Sequence, residues 1–248
     1  MLLRGKTAII TGCNRGIGKA ALEIFAENGA DIFACARKES DEFAEATATL
    51  AERTGVSITP VFFDFADSDQ VKGAIKTIVS SKRQIDVLLN NAGVASGAFF
   101  QMMSMQDLKQ VFEINFFSQI LFTQGIARYM SRFRAGSIIN IASTAGLIGD
   151  AGTTSYGSSK AALMYATRTM ATELGGMNIR VNAIAPSITK TDMYDQMEEK
   201  ARNKLIESSA LKRPAGAGEV ANVALFLASD LSSYVTGQVL RVDGGLIT

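Results

Sequence analysis

The sequence predicts a single doubly wound α/β domain, a seven-stranded and mainly parallel sheet with helices on both faces. Three observations carry this. Apolar, β-rich runs alternate with helical stretches from one end of the 248 residues to the other. The runs are mostly unbroken rather than alternating apolar with polar, which suits strands covered on both faces. No linker, low-complexity tract or internal repeat divides the chain, so residues 1–248 read as one domain.

In chain order, the first strand is KTAIIT (6–11), followed by a helical pattern over 17–28. DIFACA (31–36) leads into a helix over 40–54, and SITPVFF (57–63) into a helix over 68–82. IDVLLN (85–90) precedes one long helical stretch, 105–133, and GSIINIAS (136–143) precedes a helix over 153–175. IRVNAIA (179–185), a helix over 217–229 and QVLRVD (238–243) complete the pattern. Residues 187–215 are the exception. They are polar, with SITKTDMYDQMEEKARNK near their start, and read as an irregular flap over a site.

Composition narrows the chemistry. Apolar residues make up 47% of the chain, ample for a core, and the formal charge of +1 gives no bulk attraction to nucleic acid or anionic membrane. The opening MLLRGKTAIITG is too short an apolar run for a secretory signal, and the longest uncharged run, 135–149, is too short to span a bilayer. Two cysteines, Cys13 and Cys35, form no disulfide framework, so a reducing cytoplasm is the expected location. With no histidine there is no Ser-His-Asp triad, no Cys-His pair and no His-ligated metal, and no metal site is expected. Proton transfer falls to Tyr, Lys, Asp, Glu or Cys.

TGCNRGIG (11–18) joins the first strand to the first helix. Gly12, Gly16 and Gly18 let the backbone turn tightly and approach a pyrophosphate seated on the helix N-terminus. A plain strand-helix turn would also hold glycines, but a second strand about 20 residues on favours a dinucleotide site. The end of that strand, ACARKES, has Ala36 and Arg37 where an NAD site has an acid for the ribose 2′-OH. Arg15 and Arg37 together suit a 2′-phosphate, hence NADP(H), although two solvated arginines would look the same in sequence.

TSYGSSK (154–160) sets Tyr156 and Lys160 four residues apart, on one helix face. A free phenol has a pKa of about 10. A nearby ammonium favours the phenolate, and this predicts a Tyr156 pKa drawn down towards the working pH. Tyrosine and lysine thus replace histidine, unless they are simply a packed phenol beside a surface lysine. Ser143, at the end of the fifth strand, offers a hydroxyl to the developing charge on a substrate oxygen, or forms a turn. Asn115 lies within a helical stretch, a poor place for asparagine by propensity, and a side chain capping a kink is the competing reading.

Together, TGCNRGIG, NNAG (90–93), Asn115, Ser143, Tyr156 with Lys160, RVNAIAP (180–186) and VDGG (242–245) resemble the short-chain dehydrogenases/reductases over essentially the whole chain. The similarity is closest to the 3-oxoacyl-acyl-carrier-protein reductase group. It implies a Rossmann-type fold and a catalytic set of Asn115, Ser143, Tyr156 and Lys160, with Asn115 holding a water that links Lys160 to solvent. It implies an NADP(H) site of Gly12, Asn14, Arg15, Gly16, Ile17, Gly18, Arg37, Asp64, Phe65, Asn91, Ala92, Gly93, Tyr156, Lys160, Pro186, Thr189 and Thr191. Within that set Asp64 would accept from the adenine amino group, Asn90 and the backbone through Gly93 would line the adenosine ribose, and Thr191 would bind pyrophosphate or carboxamide. Pro186-Ser187 replaces the family's usual Pro-Gly before the flap, which puts the pocket shape in question.

The function expected from this resemblance is NADPH-dependent reduction of a ketone to a secondary alcohol, a 3-oxoacyl thioester foremost. One alternative is a reductase or dehydrogenase of a free small carbonyl, sugar, polyol or steroid. A catalytically silent NADP-binding regulator is another. Arg128 matches one of the basic residues with which such reductases dock an acidic acyl carrier protein, Thr172 departs from the other, and Arg168 lies one turn earlier. A homotetramer, with a dimer as the fallback, is expected. It would be built on the small residues Gly157, Ser158, Ser159, Ala161 and Ala162 and the stripe Leu163, Thr167, Met170 and Leu174.

Overall fold

The computed structural model describes residues 1–246. Seven strands form one sheet: β1 (Thr7–Thr11), β2 (Asp31–Ala36), β3 (Ile58–Phe62), β4 (Val87–Asn90), β5 (Gly136–Ile141), β6 (Ile179–Pro186) and β9 (Val239–Val242). Their order is β3-β2-β1-β4-β5-β6-β9, and every neighbouring pair is parallel. Chain order reverses between β1 and β4. In such sheets the crevice beyond the strand ends at that reversal is where ligands bind. The predicted strands all form, and every end agrees within two residues.

Helices α1 (Gly16–Glu27), α2 (Asp41–Thr54) and α9 (Ala217–Ala228) cover one face, and α3 (Ser68–Ser80), α5 (Ser118–Met130) and α6 (Thr154–Gly175) the other. Local signals mark their ends. The Ser40 hydroxyl accepts from the Phe43 N–H at the start of α2, and Gly55, with φ +70°, takes the left-handed turn that closes it. Asp67 caps α3 through the Asp69 and Gln70 amides. Phe25 and Phe122 are fully buried on opposite faces of the sheet. Truncating either to alanine removes about 3–5 kcal/mol of stability.

Two expectations are corrected. The long helix at 105–133 is interrupted: α4 (Met105–Phe112) runs into a π-helical segment, Glu113–Phe117, before α5 begins. Such bulges relax the helix ladder by one residue and re-aim a side chain. Here the residue re-aimed is Asn115, fully buried inside the bulge. Residues 187–215 are also more regular than expected. They contain α7 (Asp192–Asp195) and α8 (Glu199–Ser208), and β7 (Thr189–Lys190) pairs in parallel with β8 (Ala215–Gly216).

Candidate active site

The glycine loop is held from two sides. The Gly12 and Cys13 amides both donate to the Cys35 carbonyl at the end of β2, at 2.9 and 3.0 Å. From β4, the Asn91 side-chain amide donates to the carbonyls of Thr11 and Gly12. The fully buried Thr11 hydroxyl accepts from the Asn91 and Ala92 amides. This packing leaves no room for side chains. A Cβ on Gly18 would fall 2.0 Å from the Gly12 carbonyl oxygen, and one on Gly12, where φ is +74°, would fall 2.9 Å from Asn91 Nδ2. A side-chain-free loop packed this closely and opening a helix at the sheet's reversal point fits a dinucleotide pyrophosphate. Asn14 and Arg15 are exposed on the loop, and Ile17 is half-buried behind it.

The remaining cofactor-site residues divide by availability. Arg37 is exposed at the end of β2 and makes no ion pair among the described residues. Arg15, in contrast, is paired with Asp192, Nη1 to Oδ2 at 2.7 Å. Asp64 is half-buried, and its Oδ1 accepts from the Ala66 amide. The Phe65 ring is buried against Phe63 and Phe122, at 4.9 and 5.8 Å between centroids, so only its backbone is left to meet a ligand. The Asn90 side chain does not line a ribose. It is fully buried, and its Nδ2 donates to Thr123 Oγ1 and Asn140 Oδ1, both at 2.8 Å, tying β4 to α5 and β5. Ala92 and Gly93 are half-buried after β4. Pro186 ends β6 and Thr189 is buried beyond it. Thr191 lies against the glycine loop, its Cγ2 3.1 Å from where a Gly16 Cβ would stand.

Asn115, Ser143, Tyr156 and Lys160 converge at the C-terminal ends of β4 and β5. A Cβ on Gly93 would lie 3.1 Å from Asn115 Oδ1 and 3.4 Å from Lys160 Nζ, so those two groups meet over a bare backbone. Asn115 bridges the Val94 amide and carbonyl, at 2.9 and 2.8 Å, and donates to Ser159 Oγ at 3.2 Å. Lys160, 3% exposed, donates to the Ile141 carbonyl at 2.8 Å, and its Nζ lies 5.8 Å from the centre of the Tyr156 ring. Burial lowers its pKa to about 8. Ser143 caps the 3-10 turn Thr144–Gly146 by accepting from the Ala145 amide, and its hydroxyl faces the Tyr156 phenol.

The phenol departs from expectation. Burial raises the Tyr156 pKa, and the Ser143 hydroxyl opposes that only in part. Lys160 directs its ammonium at a carbonyl rather than at the phenol oxygen. Protein groups alone therefore keep Tyr156 protonated near neutrality, the form a proton donor needs. The cysteines are not rivals for proton transfer: both are buried and free, and burial pushes both thiols up.

The assembly argument from α6 holds only in part. Leu163 and Thr167 are buried within the chain, whereas Met170 and Leu174 are half-buried and line a groove between α6 and α5. Gly157 serves the fold itself, since a Cβ there would stand 2.4 Å from the Ala145 carbonyl oxygen. The outward face of α6 carries Tyr165, Arg168, Thr169 and Thr172, and the same groove is lined in part by Gln124, Arg128 and Glu173. The roles of Thr11, of Ser159, of Asp192 and of Gln119, whose side-chain amide donates to the Ala92 carbonyl at 2.6 Å, escaped the sequence reading. Each acts through a partner distant in sequence, and nothing near it in the chain signals that partner.

A donor pair of hydroxyls at the mouth of a dinucleotide crevice, backed by a buried amine, is the equipment of an oxidoreductase that interconverts CH–OH and C=O with a nicotinamide cofactor. The chain belongs to the short-chain dehydrogenase/reductase family. A family model described as enoyl-(acyl carrier protein) reductase matches residues 12–247. The 3-oxoacyl-(acyl-carrier-protein) reductase FabG of Thermotoga maritima is 41% identical over 247 residues, covering 100% of both chains. That of Chlamydia trachomatis is 39% identical over 99% of this chain and 98% of its own. A solved variant of a Serratia marcescens short-chain dehydrogenase/reductase superposes with a TM-score of 0.91 at 31% identity, covering 99% of each chain. No helix among the described residues is long and apolar enough to cross a membrane.

Proposed function

We propose that this enzyme reduces a 3-oxoacyl thioester to the 3-hydroxyacyl thioester with NADPH. The observation that carries the reading is the Tyr156 phenol, facing Ser143 with Lys160 Nζ 5.8 Å from its ring and held protonated by burial. When bound, the nicotinamide supplies the hydride. Tyr156 gives its proton to the carbonyl oxygen as that oxygen becomes an alkoxide, and Ser143 donates a second hydrogen bond to the same oxygen. Lys160, buried next to the phenol, stabilises the phenolate left behind, and Asn115 fixes the wall against which Lys160 rests.

The family description names enoyl reduction and the curated relatives name 3-oxo reduction, two different bonds. Both reactions build charge on an oxygen, so the two hydroxyls suit either, and it is the likeness to 3-oxoacyl reductases along the whole chain that favours the ketone. The deciding experiment supplies NADPH with a 3-oxoacyl thioester, carrier-bound and as a short free analogue, alongside a 2-enoyl thioester and a panel of free ketones, sugars, polyols and steroids. The 3-oxo thioester should be turned over fastest. Preference for a free carbonyl would move the enzyme to the small-molecule alternative, and turnover of none would leave the silent regulator. Carrier docking is expected at the exposed Arg128 and Arg168, so any carrier preference should shrink as salt rises.

NADPH is preferred over NADH on the strength of Arg37, which stands at the expected ribose position with no acid in the NAD place. Arg15 already has a carboxylate partner, so Arg37 carries most of the discrimination. A charge-assisted contact contributes about 1.5–3 kcal/mol. Arg37→Ala should weaken NADPH binding roughly tenfold or more and leave NADH nearly unchanged. Equal dissociation constants for the two cofactors in the wild type would refute the preference.

A homotetramer, or at least a dimer, is proposed that covers the exposed apolar side chains of α6 and of the π-helical segment before α5 and leaves Arg128 and Arg168 at the polar rim for the carrier. Tyr165 of α6 is 71% exposed and Phe117 of that segment 55%. Light scattering at micromolar concentration should return a multiple of 26.4 kDa, and a monomer mass would overturn it. Cytoplasmic location is in keeping with two buried, free thiols.

A further inference from the structure

We infer that Asp192 and Lys204 are positioning residues that hold the 187–215 segment down as a lid, one at the nucleotide end of the cleft and one at the substrate end. At the nucleotide end, Asp192 takes the Arg15 guanidinium at 2.7 Å across 177 residues of sequence. Beside it the Thr191 methyl sits over Gly16, an approach a side chain at 16 would crowd. At the other end Lys204 of α8 reaches Asp150, Nζ to Oδ1 at 4.0 Å. Asp150 belongs to the loop that leads into Tyr156, and its carbonyl accepts from the Thr153 amide and hydroxyl at the start of α6. Between the two latches, Arg202 lies 4.9 Å over the Tyr194 ring and donates to the Tyr194 carbonyl at 3.4 Å, which joins α7 to α8 as one body.

Neither α7 nor α8 has a buried residue. Apolar burial therefore does little to fix the position of these helices, and the short β7–β8 pairing anchors only the base of the segment. Beyond α8 the chain is tied down again, the Ala210 and Leu211 amides donating to the Gly245 and Gly244 carbonyls, so among the described residues the two ion pairs are the polar side-chain contacts that join α7 and α8 themselves to the body of the protein. Such exposed pairs are weak and screened by salt, so they make a lid that opens easily rather than a permanent cover. When closed, the lid spans from the loop that cradles the nucleotide to the loop that presents the proton donor, so it governs how fast a bound cofactor leaves. That consequence rests on the dinucleotide reading; the latch itself does not.

Hydrogen exchange of the amides in residues 192–208 measures opening without any turnover. At low salt, Asp192→Asn and Lys204→Gln should each speed exchange there by about 1.5- to fivefold, the range expected of one exposed pair, and the double variant by more. Raising salt from about 20 to about 500 mM should speed exchange in the wild type and have no effect in the double variant. Asp192→Glu, which keeps the charge, should restore slow exchange. In Lys204→Gln, which leaves Arg15 paired with Asp192, the NADPH dissociation rate should rise by the same factor as the exchange rate. Exchange in the double variant equal to wild type, or a salt response that survives in it, would overturn the latch. Faster exchange in Lys204→Gln without faster cofactor release would overturn its role in retaining the cofactor. An enzyme inactive towards every carbonyl would sink the proposed reaction and leave the exchange result standing.

Discussion

Replacing Tyr156 with phenylalanine should cut turnover by at least about 100-fold while the fold and cofactor binding survive. A positioned proton donor contributes about 10²–10⁴ in rate, and the Tyr156 phenol is turned towards Ser143. The substitution removes one oxygen and keeps the half-buried ring. The glycine cradle, held by Cys35 and Asn91, does not touch that oxygen. Turnover should therefore fall with little change in the dissociation constant for NADPH. Turnover within a few-fold of wild type would remove Tyr156 from the mechanism. So would a loss explained entirely by unfolding, which circular dichroism and a melting curve would reveal.

Lys160→Met should abolish turnover as well, and it should also change how stability depends on pH. The Lys160 pKa falls from an ordinary 10.5 to about 8 because burial disfavours the ammonium. Below pH 8 the residue is charged in both states, and the native state bears the full penalty of a charge held away from water. Between about 8 and 10.5 the unfolded chain binds the extra proton, so stability rises with pH. At about 1.4 kcal/mol per unit the rise amounts to roughly 3 kcal/mol. Above 10.5 the amine is neutral in both states and the penalty is gone. The raised thiols of Cys13 and Cys35 and the raised Tyr156 phenol act oppositely at high pH, because there the unfolded chain loses protons first. They are present in both proteins and largely cancel in the difference. Urea unfolding at pH 7, 8, 9 and 10 should show the wild type gaining on the methionine variant. Parallel stability curves would show that the amine is not destabilised by burial.

Sequence and structure agree most closely where chemistry lies in consecutive residues. The glycine loop, the Tyr156–Lys160 pair and Ser143 were legible because helix and strand periodicity alone decides which of their groups share a face. Arg37 was legible for the same reason, since the end of the second strand is fixed by its own apolar run. The π-helical segment at Asn115 was not. Asn115 pointed to a kink by its poor helix propensity, but no residue in EINFF specifies a π-helical ladder. The bulge depends on the Asn115 side chain finding Val94 and Ser159, at positions 21 and 44 residues away. Asn90 misled in a similar way. In sequence it continues into the loop that meets the cofactor, but register pairs it with Asn140 and carries its amide into the core.

The sequence by itself determined the fold class, the glycine loop at the sheet's reversal point and the pairing of Tyr156 with Lys160 on one helix face. Each follows from patterns repeated every two or 3.6 residues and from residue types with few substitutes. Only the tertiary structure decided the electrostatic state of those groups. Lys160 could have lowered the Tyr156 pKa on spacing alone, but its ammonium is drawn to the Ile141 carbonyl and the phenol is governed by burial. Arg15 could have been as free as Arg37, but Asp192 lies within 2.7 Å of it. A pKa or an ion pair depends on the distance to groups brought together by the whole chain and on the water they exclude, and neither quantity is local in sequence.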